Sequence, residues 1–153
     1  MTPSTDLDRS GRRLNWLPLV AALFALVGLI DAIYLTYHHY TAEPVPCSIT
    51  GGCEMVLTSD YATIANIPIA LFGAIAYADA LLFAVLTATG RWRAWWLFGI
   101  QTTLMAAASA YLIYLQASVI HAFCQFCLLS AGTSIILFLI FLASLLTMRR
   151  SPA

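Results

Sequence analysis

The sequence contains no lysine, and charged residues make up only 9% of its 153 positions. Seven arginines balance seven acidic residues, so the formal net charge at pH 7 is zero. The chain therefore lacks a basic face that could hold nucleic acid and an acidic tail that could bind cations. Hydrophobic residues account for 61% of the chain, whereas a soluble globule of this size needs far more polar surface. These proportions indicate an integral membrane protein that lies in a lipid bilayer.

Four long apolar segments occupy most of the chain. A helix needs about 20 residues to cross a hydrocarbon core of about 30 Å, because each residue adds about 1.5 Å. The segments that meet this length are residues 16–37, 67–86, 92–115 and 128–148. The sequence therefore predicts an all-α membrane protein, a bundle of four transmembrane helices over residues 16–148. Short tails at residues 1–15 and 149–153 complete the predicted organisation.

The arginines predict how this bundle is oriented. Because short loops rich in arginine resist translocation, the side that carries them is expected to be cytoplasmic, with both termini. Tryptophans cluster at the same helix ends as the arginines, and most tyrosines cluster at the opposite ends. This distribution of aromatic residues agrees with the orientation that the arginines predict. We therefore expect a multi-pass protein of the cell inner membrane, with residues 39–65 and a short connection near residues 117–123 on the outer side. The arginines are Arg9, Arg12, Arg13, Arg91, Arg93, Arg149 and Arg150.

The four cysteines all lie in or beside the two outer connections. Cys47 and Cys53 enclose five residues that end in two glycines, so this loop can bend and move. Cys124 and Cys127 form a CxxC motif at the expected start of the fourth helix, where they lie on one face and the helix N-terminus stabilises a thiolate. On an oxidising side such thiols pair or cycle through disulfides. The pattern predicts a mobile pair that exchanges electrons with a fixed pair.

Two other interpretations of the cysteines remain open. Both pairs could be inert disulfides that staple the outer loops, although bridges this short gain little from loop closure. Four thiolates could also bind zinc, but such sites usually show two tight knuckles, and here one pair encloses five residues. We therefore expect no metal site.

Several spaced motifs resemble the vitamin K epoxide reductase family, in particular its bacterial homologues. One set covers residues 47–73 and the other residues 110–130, so the resemblance extends over most of the chain. In the first, the Cys47 and Cys53 pair is followed by Val56, Ser59, Tyr61, Ile67-Pro68 and Phe72-Gly73; the second runs from Ala110-Tyr111-Leu112 to Cys124-Gln-Phe-Cys127-Leu-Leu-Ser130. Asn66 stands where glycine is expected, and asparagine also tolerates the left-handed conformation of such a turn.

The resemblance implies a quinone-dependent membrane thiol-disulfide oxidoreductase that supports disulfide bond formation. Cys47 would accept electrons from a secreted thioredoxin-like partner, Cys53 would pass them to Cys124, and Cys127 would face ubiquinone or menaquinone. Because many bacterial members carry a fused thioredoxin-like domain and this chain ends at Ala153, the partner is expected to be a separate protein. The residues expected at the quinone site are Ser59, which resembles a residue supporting the redox loop, together with Tyr61, Asn66 and Phe126.

Other functions stay open at this point. The other four-helix family that generates disulfides, that of disulfide bond formation protein B, has its CxxC in the first outer loop, whereas here the order is reversed. Reduction of vitamin K epoxide or of a quinone as the main activity, and a non-catalytic scaffold with structural disulfides, are the remaining alternatives.

Three ionisable side chains have no role that the sequence assigns. Asp31 and Asp79 lie inside apolar segments, where carboxylates are costly and often functional, but either could instead reach an interface or bond a neighbouring hydroxyl. His121 lies three residues before Cys124 and could stabilise a thiolate as an imidazolium.

Overall fold

The computed structural model describes residues 16–149, so the predicted N-terminal tail and nearly all of the predicted C-terminal tail lie outside the described residues. Four helices in this range are long and apolar enough to cross a membrane, which confirms the predicted number. In chain order the elements are α1 (Trp16–Thr41), α2 (Cys53–Leu57), β1 (Thr63–Ile64), β2 (Ile67–Pro68), α3 (Ile69–Ala88), α4 (Arg93–Leu115), a π-helical turn that continues α4 (Gln116–Ile120), and α5 (Gln125–Arg149).

The four long helices form a ring in which each packs mainly against two others. Helix α1 packs against α3 and α5, and α4 packs against the same two helices from the opposite side. Because successive long helices run in opposite directions, the end of α1, the start of α3, the end of α4 and the start of α5 meet at one end of the bundle. We call this the cysteine end, and the opposite end, with Arg91 and Arg93, the arginine end.

The predicted limits of the outer connections need correction. The connection expected near residues 117–123 comprises only residues 121–124, because a π-helical turn keeps the backbone helical to Ile120. His121 then leaves the helix in the left-handed conformation, with φ of 54°. Helix α5 consequently begins at Gln125 rather than at residue 128. The longer outer segment begins after Thr41 instead of at residue 39, since α1 extends beyond its predicted end.

A short hairpin takes up the first two residues of the second predicted transmembrane segment, residues 67 and 68. Strands β1 and β2 pair in antiparallel register, with Thr63 opposite Pro68. The two residues between them, Ala65 and Asn66, both have positive φ, as a tight two-residue hairpin turn requires. Pro68 is extended, with φ of −63° and ψ of 137°, and α3 starts immediately after it. Asn66 has φ of 64°, so asparagine does adopt the conformation expected at this position.

Small residues allow the helices to approach closely in the main core. Ala21, Ala25 and Gly28 of α1 are buried, and a side chain at Gly28 would collide with the ring of Tyr77 from α3. Gly99 of α4 leaves room in the same way for the ring of Phe141 from α5. Since lipid tails are as apolar as leucine, membrane helices associate through such close packing rather than through the hydrophobic effect.

Candidate functional site

The first pair of cysteines forms a disulfide bond, Cys47–Cys53, at the cysteine end of the bundle. Cys53 is the first residue of α2 and is completely buried, whereas Cys47 is half-buried in the segment before it. Leu35 of α1 and Val45 pack around Cys53 in a small apolar cluster. The disulfide therefore has one sulfur accessible from outside and one sulfur directed into the protein.

The disulfide loop lies directly on the turn that carries the CxxC motif. The N–H of Ile49 donates a hydrogen bond of 3.0 Å to the side-chain oxygen of Gln125, the residue after Cys124. Gly52 faces the backbone of Phe123 so closely that a Cβ atom at position 52 would lie 2.8 Å from its carbonyl oxygen. Two independent contacts thus hold the loop against the turn, and glycine is required at one of them.

Cys53 and Cys124 belong to the same apolar cluster, and both are completely buried. Cys124 is the last residue before α5, as the predicted position of the CxxC at a helix start requires. Its own N–H donates to the side-chain oxygen of Gln116 at 3.0 Å. The inner cysteines of the two pairs therefore pack in one cluster, although 71 positions separate them in the sequence.

Cys124 and Cys127 are both free thiols in this structure. The hydrogen bond from the Cys127 side chain lowers the pKa of Cys124, and backbone N–H groups of Cys127 and Phe126 act in the same direction against the effect of burial. The N–H of Cys127 lies 3.3 Å from the Cys124 sulfur. The first turn of a helix stabilises negative charge in this way, so Cys124 is the thiol that ionises more readily than an ordinary cysteine.

A cavity of about 620 Å³ opens beside Cys127 and extends into the bundle. Its lining residues in α4 alone run from Gln101 to Leu115, a distance of roughly 20 Å along the helix axis. The polar or ionisable residues in its lining are few: His39, Ser59, Tyr61, Tyr77, Gln101, Ser109, Gln116, Cys127, Ser130 and Ser134. Long apolar walls with a few polar groups are typical of a site for an amphipathic small molecule.

The structure separates the four predicted quinone contacts into two groups. Ser59 and Tyr61 line the cavity near its opening at the cysteine end, and the Ser59 hydroxyl donates to the carbonyl of Val56 at 2.7 Å. Asn66 lies in the hairpin turn and Phe126 packs on the ring of Tyr34, with 5.2 Å between the ring centroids. Neither of these two residues is part of the cavity lining.

Sequence reasoning did not find the hydroxyl cluster that lies below Cys127 in the cavity wall. The Tyr77 hydroxyl lies 2.6 Å from the Thr133 hydroxyl and 2.8 Å from the Ser134 hydroxyl, and it also contacts Ser130. Ser130 and Ser134 follow Cys127 by three and seven positions, which places them on its face of α5. That spacing was a signal in the sequence, but the partner Tyr77 comes from another helix.

The three unassigned ionisable residues lie in different surroundings. Asp31 is 6% exposed, and one of its carboxyl oxygens has no hydrogen-bond partner among residues 16–149. Asp79 is exposed on the outside of α3, and His121 is exposed at the end of the π-helical turn. Of these three residues, only Asp31 is therefore buried among the helices.

The geometry of the four cysteines bears on the two other interpretations, a zinc site and a pair of inert disulfide staples. Cys47 and Cys53 are joined to each other and so do not offer two thiolates to a zinc ion. In the described range the structure places no group of three or more histidine, cysteine or acidic side chains where they could hold a metal. Only one of the two bridges of the staple interpretation is present, because Cys124 and Cys127 are not bonded.

Comparison with known proteins adds an independent line of evidence. The sequence profile of the vitamin K epoxide reductase family matches residues 19–142, which is most of the chain and includes all four cysteines. The chain is also 37% identical over 123 residues to the thiol-disulfide oxidoreductase LTO1 of Arabidopsis thaliana. That alignment covers 72% of this chain but 32% of the plant protein, so the chain spans about a third of the length of this relative.

Proposed function

The chain belongs to the vitamin K epoxide reductase family, and we propose that it is a membrane thiol-disulfide oxidoreductase that transfers electrons from a thioredoxin-like partner to a membrane quinone. The order of the four sulfurs supports this proposal most directly. Cys47 is half-buried at the surface, Cys53 and Cys124 are buried in one cluster, and Cys127 lines the cavity. A row of this kind leads from a site that a protein can reach to a site that a membrane lipid can reach.

Each transfer along this row is a thiol-disulfide exchange that moves two electrons. A thiolate of the reduced partner attacks Cys47 and displaces Cys53, and the partner's second thiolate then releases Cys47 as the partner becomes a disulfide. Cys53 attacks Cys124 and displaces Cys127 from a Cys124–Cys127 disulfide. Attack by Cys47 on Cys53 then restores the first disulfide and leaves the second pair reduced.

These exchanges would end in the bonding pattern that the four cysteines have in the structure. Cys47 and Cys53 are bonded, whereas Cys124 and Cys127 are free thiols beside the cavity. In this state the second pair holds two electrons and two protons, and Cys127 is the sulfur that faces the cavity. The lowered pKa of Cys124 favours the thiolate that closes the second disulfide when the electrons leave.

The cavity fits a quinone in size, shape and chemistry. Its volume of about 620 Å³ is that of an ordinary small-molecule site, and its length suits a ring with an isoprenoid tail. A bound quinone supplies an acceptor for two electrons and two protons. Cys127, Ser59 and Tyr61 would surround the ring at the cysteine end, while the predicted contacts Asn66 and Phe126 lie outside the lining and would act only indirectly.

We also propose that the cysteine end faces the outer side of the cytoplasmic membrane, with both termini inside. Arg91 and Arg93 lie at the arginine end, next to the tryptophans Trp92, Trp95 and Trp96. Positive charge on the cytoplasmic side would place both cysteine pairs in an oxidising compartment, where a secreted partner can reach Cys47.

The decisive experiment follows quinone absorbance after a reduced thioredoxin-like protein is added to the purified chain in lipid. The wild type should reduce ubiquinone or menaquinone, and Cys127→Ser should lose turnover by roughly a thousandfold or more, because the sulfur beside the cavity is missing. Cys47→Ser, the matched variant at the other end of the row, should also fail with the partner but should still reduce quinone when dithiothreitol reduces the second pair directly.

Three outcomes would contradict the proposal. A Cys127→Ser variant with wild-type turnover would exclude the sulfur path to the cavity. A wild type that reduces neither quinone with any of several thioredoxin-like donors would favour the scaffold. Efficient reduction of vitamin K epoxide without quinone reduction would favour the epoxide reductase alternative.

A further inference from the structure

Gln116 is a polar residue that connects the CxxC turn with the cavity. It is the first residue of the π-helical turn that continues α4, and it is only 3% exposed. It also lines the cavity, as Cys127 does. A buried amide in a largely apolar helix needs hydrogen-bond partners, and π-helical turns often occur at functional sites.

The hydrogen bond to Cys124 determines which way the amide of Gln116 points. The backbone N–H of Cys124 can only donate, so the atom 3.0 Å away must be the side-chain oxygen of Gln116. The amide nitrogen, Nε2, is then on the other branch of the side chain. Among residues 16–149 the structure records no hydrogen bond for this nitrogen, which has two protons to donate.

Several other polar groups in the cavity wall are already hydrogen-bonded to the protein. The hydroxyl groups of Tyr77 and Ser134 bond to each other at 2.8 Å, and Ser59 donates to Val56. Gln101, the second glutamine in the lining, has its amide nitrogen 3.5 Å from the carbonyl of Ala76. The amide nitrogen of Gln116 is thus a donor without a protein acceptor, at the same end of the cavity as Cys127.

We propose that Nε2 of Gln116 donates a hydrogen bond to a carbonyl oxygen of a quinone whose ring lies against Cys127. This inference rests on the proposed function and specifies the residue that binds the quinone head group. In the overall step the Cys124 and Cys127 thiols become a disulfide, and their two electrons and two protons reduce the quinone to the hydroquinone.

The amide acts by stabilising charge where it develops. As electrons leave Cys127, negative charge grows on the carbonyl oxygen, and a preorganised N–H donor in an apolar cavity stabilises it. The same side chain holds the Cys124 N–H through its oxygen, so its two branches keep the CxxC turn and the ring in register. Gln116 would therefore touch the substrate and would be a catalytic residue.

The test measures the infrared carbonyl stretch of a short-chain ubiquinone with isotope-labelled carbonyl carbons, bound to the protein in lipid. In the wild type one carbonyl should absorb at lower frequency than in lipid alone, because it accepts a hydrogen bond. In Gln116→Met this shift should disappear, quinone affinity should fall, and turnover should fall by roughly a hundredfold, as expected for the loss of one such donor. Gln101→Met, which removes the same amide roughly 20 Å away along α4, should retain the wild-type carbonyl frequency.

The outcomes separate this inference from the proposed function. If the wild type binds and reduces quinone but its carbonyl frequency equals that in lipid alone, the role of Gln116 is wrong and the proposed function stands. The same conclusion follows if the shift persists in Gln116→Met. Gln116→Met could also be misfolded, which the absence of the Cys47–Cys53 disulfide would reveal. In that case a wild-type carbonyl frequency below that in lipid alone supports the role of Gln116, and a frequency equal to that in lipid alone overturns it. If the wild type neither binds nor reduces quinone, both proposals fail.

Discussion

The two ends of the bundle are built from the same kinds of apolar residues but are packed differently. At the arginine end, Trp95 stacks on Phe98 with 4.7 Å between ring centroids and donates through Nε1 to the hydroxyl of Ser144. At the cysteine end the helices separate around a cavity of about 620 Å³, and a loop, a hairpin and a short helix cover them. The close aromatic packing thus lies at the arginine end, and the cavity opens at the cysteine end beside Cys127.

Glycines show the same difference in another form. Gly99 and Gly28 admit aromatic rings between long helices, so they serve the packing of the bundle. Gly52 instead admits the backbone of the CxxC turn against the disulfide loop, so it serves the contact between the two cysteine pairs. Substituting Gly99 should therefore lower mainly the stability of the protein, whereas substituting Gly52 should slow mainly the electron exchange between the two cysteine pairs.

The largest effect on stability is expected at the arginine end. In Gly99→Ala the new methyl group would collide with the buried ring of Phe141, so the free energy of unfolding should fall by about 1–3 kcal/mol. Gly132→Ala on α5 is the matched control: it meets nothing within 4 Å and should be neutral or stabilising by up to about 1 kcal/mol. Thermal denaturation in detergent measures both. Equal stability of the two variants would contradict the described packing.

A smaller effect on stability, but a clear effect on electron transfer, is expected at the cysteine end. In Gly52→Ala the Cβ atom would lie 2.8 Å from the Phe123 carbonyl oxygen, so the disulfide loop must move away from Cys124. Exchange between the two pairs should slow by roughly tenfold or more, because a small misplacement of reacting atoms is costly. Gly51→Asn, beside it but in open space with φ of 65°, should exchange nearly normally.

That exchange can be followed by adding one equivalent of reductant, quenching with an alkylating agent and identifying the alkylated cysteines by mass. Fast exchange in Gly52→Ala would show that the loop does not need this close approach.

The smallest expected effect is a shift in the pH at which a thiol ionises. Since the pKa of Cys124 is lowered by the hydrogen bond from Cys127, its thiolate should persist below the ordinary value of about 8.5 and disappear as pH falls through the lowered pKa. Ultraviolet absorbance of thiolate measures this in protein with Cys47–Cys53 oxidised and the second pair reduced. Cys124→Ser should abolish the low-pH transition, and its persistence in that variant would assign it to another group.

Some parts of the site could be predicted because their evidence is local. The CxxC motif precedes a helix, and a spacing of three residues places both sulfurs on one face whatever the rest of the fold does. Ser59 was expected near the quinone site because it resembles a family residue that supports the redox loop, and Tyr61 because it lies near the outer end of the bundle; both line the cavity. Their role as quinone contacts stays a prediction.

Other parts could not be predicted because they depend on contacts between distant segments. Tyr77 meets Ser130, Thr133 and Ser134 only after α3 and α5 have packed across the bundle. The helix turns the ring of Phe126 towards Tyr34 of α1, a contact between separate helices, and the expected role of Phe126 at the quinone site stays a prediction. The π-helical turn, which brings Gln116 under Cys124, also has no recognisable local pattern in the sequence.

The sequence alone determined that four helices cross a membrane, that two cysteine pairs lie at one end, and that a CxxC begins the last helix. These properties follow from apolar length, charge distribution and helical periodicity, which are properties of neighbouring residues. Only the tertiary structure decided that Cys53 and Cys124 pack in one cluster, that Cys127 lines a cavity, and that Gln116 bonds to Cys124 and lines the same cavity. Those relations depend on how closely the helices approach, which small residues and ring positions on separate helices determine together.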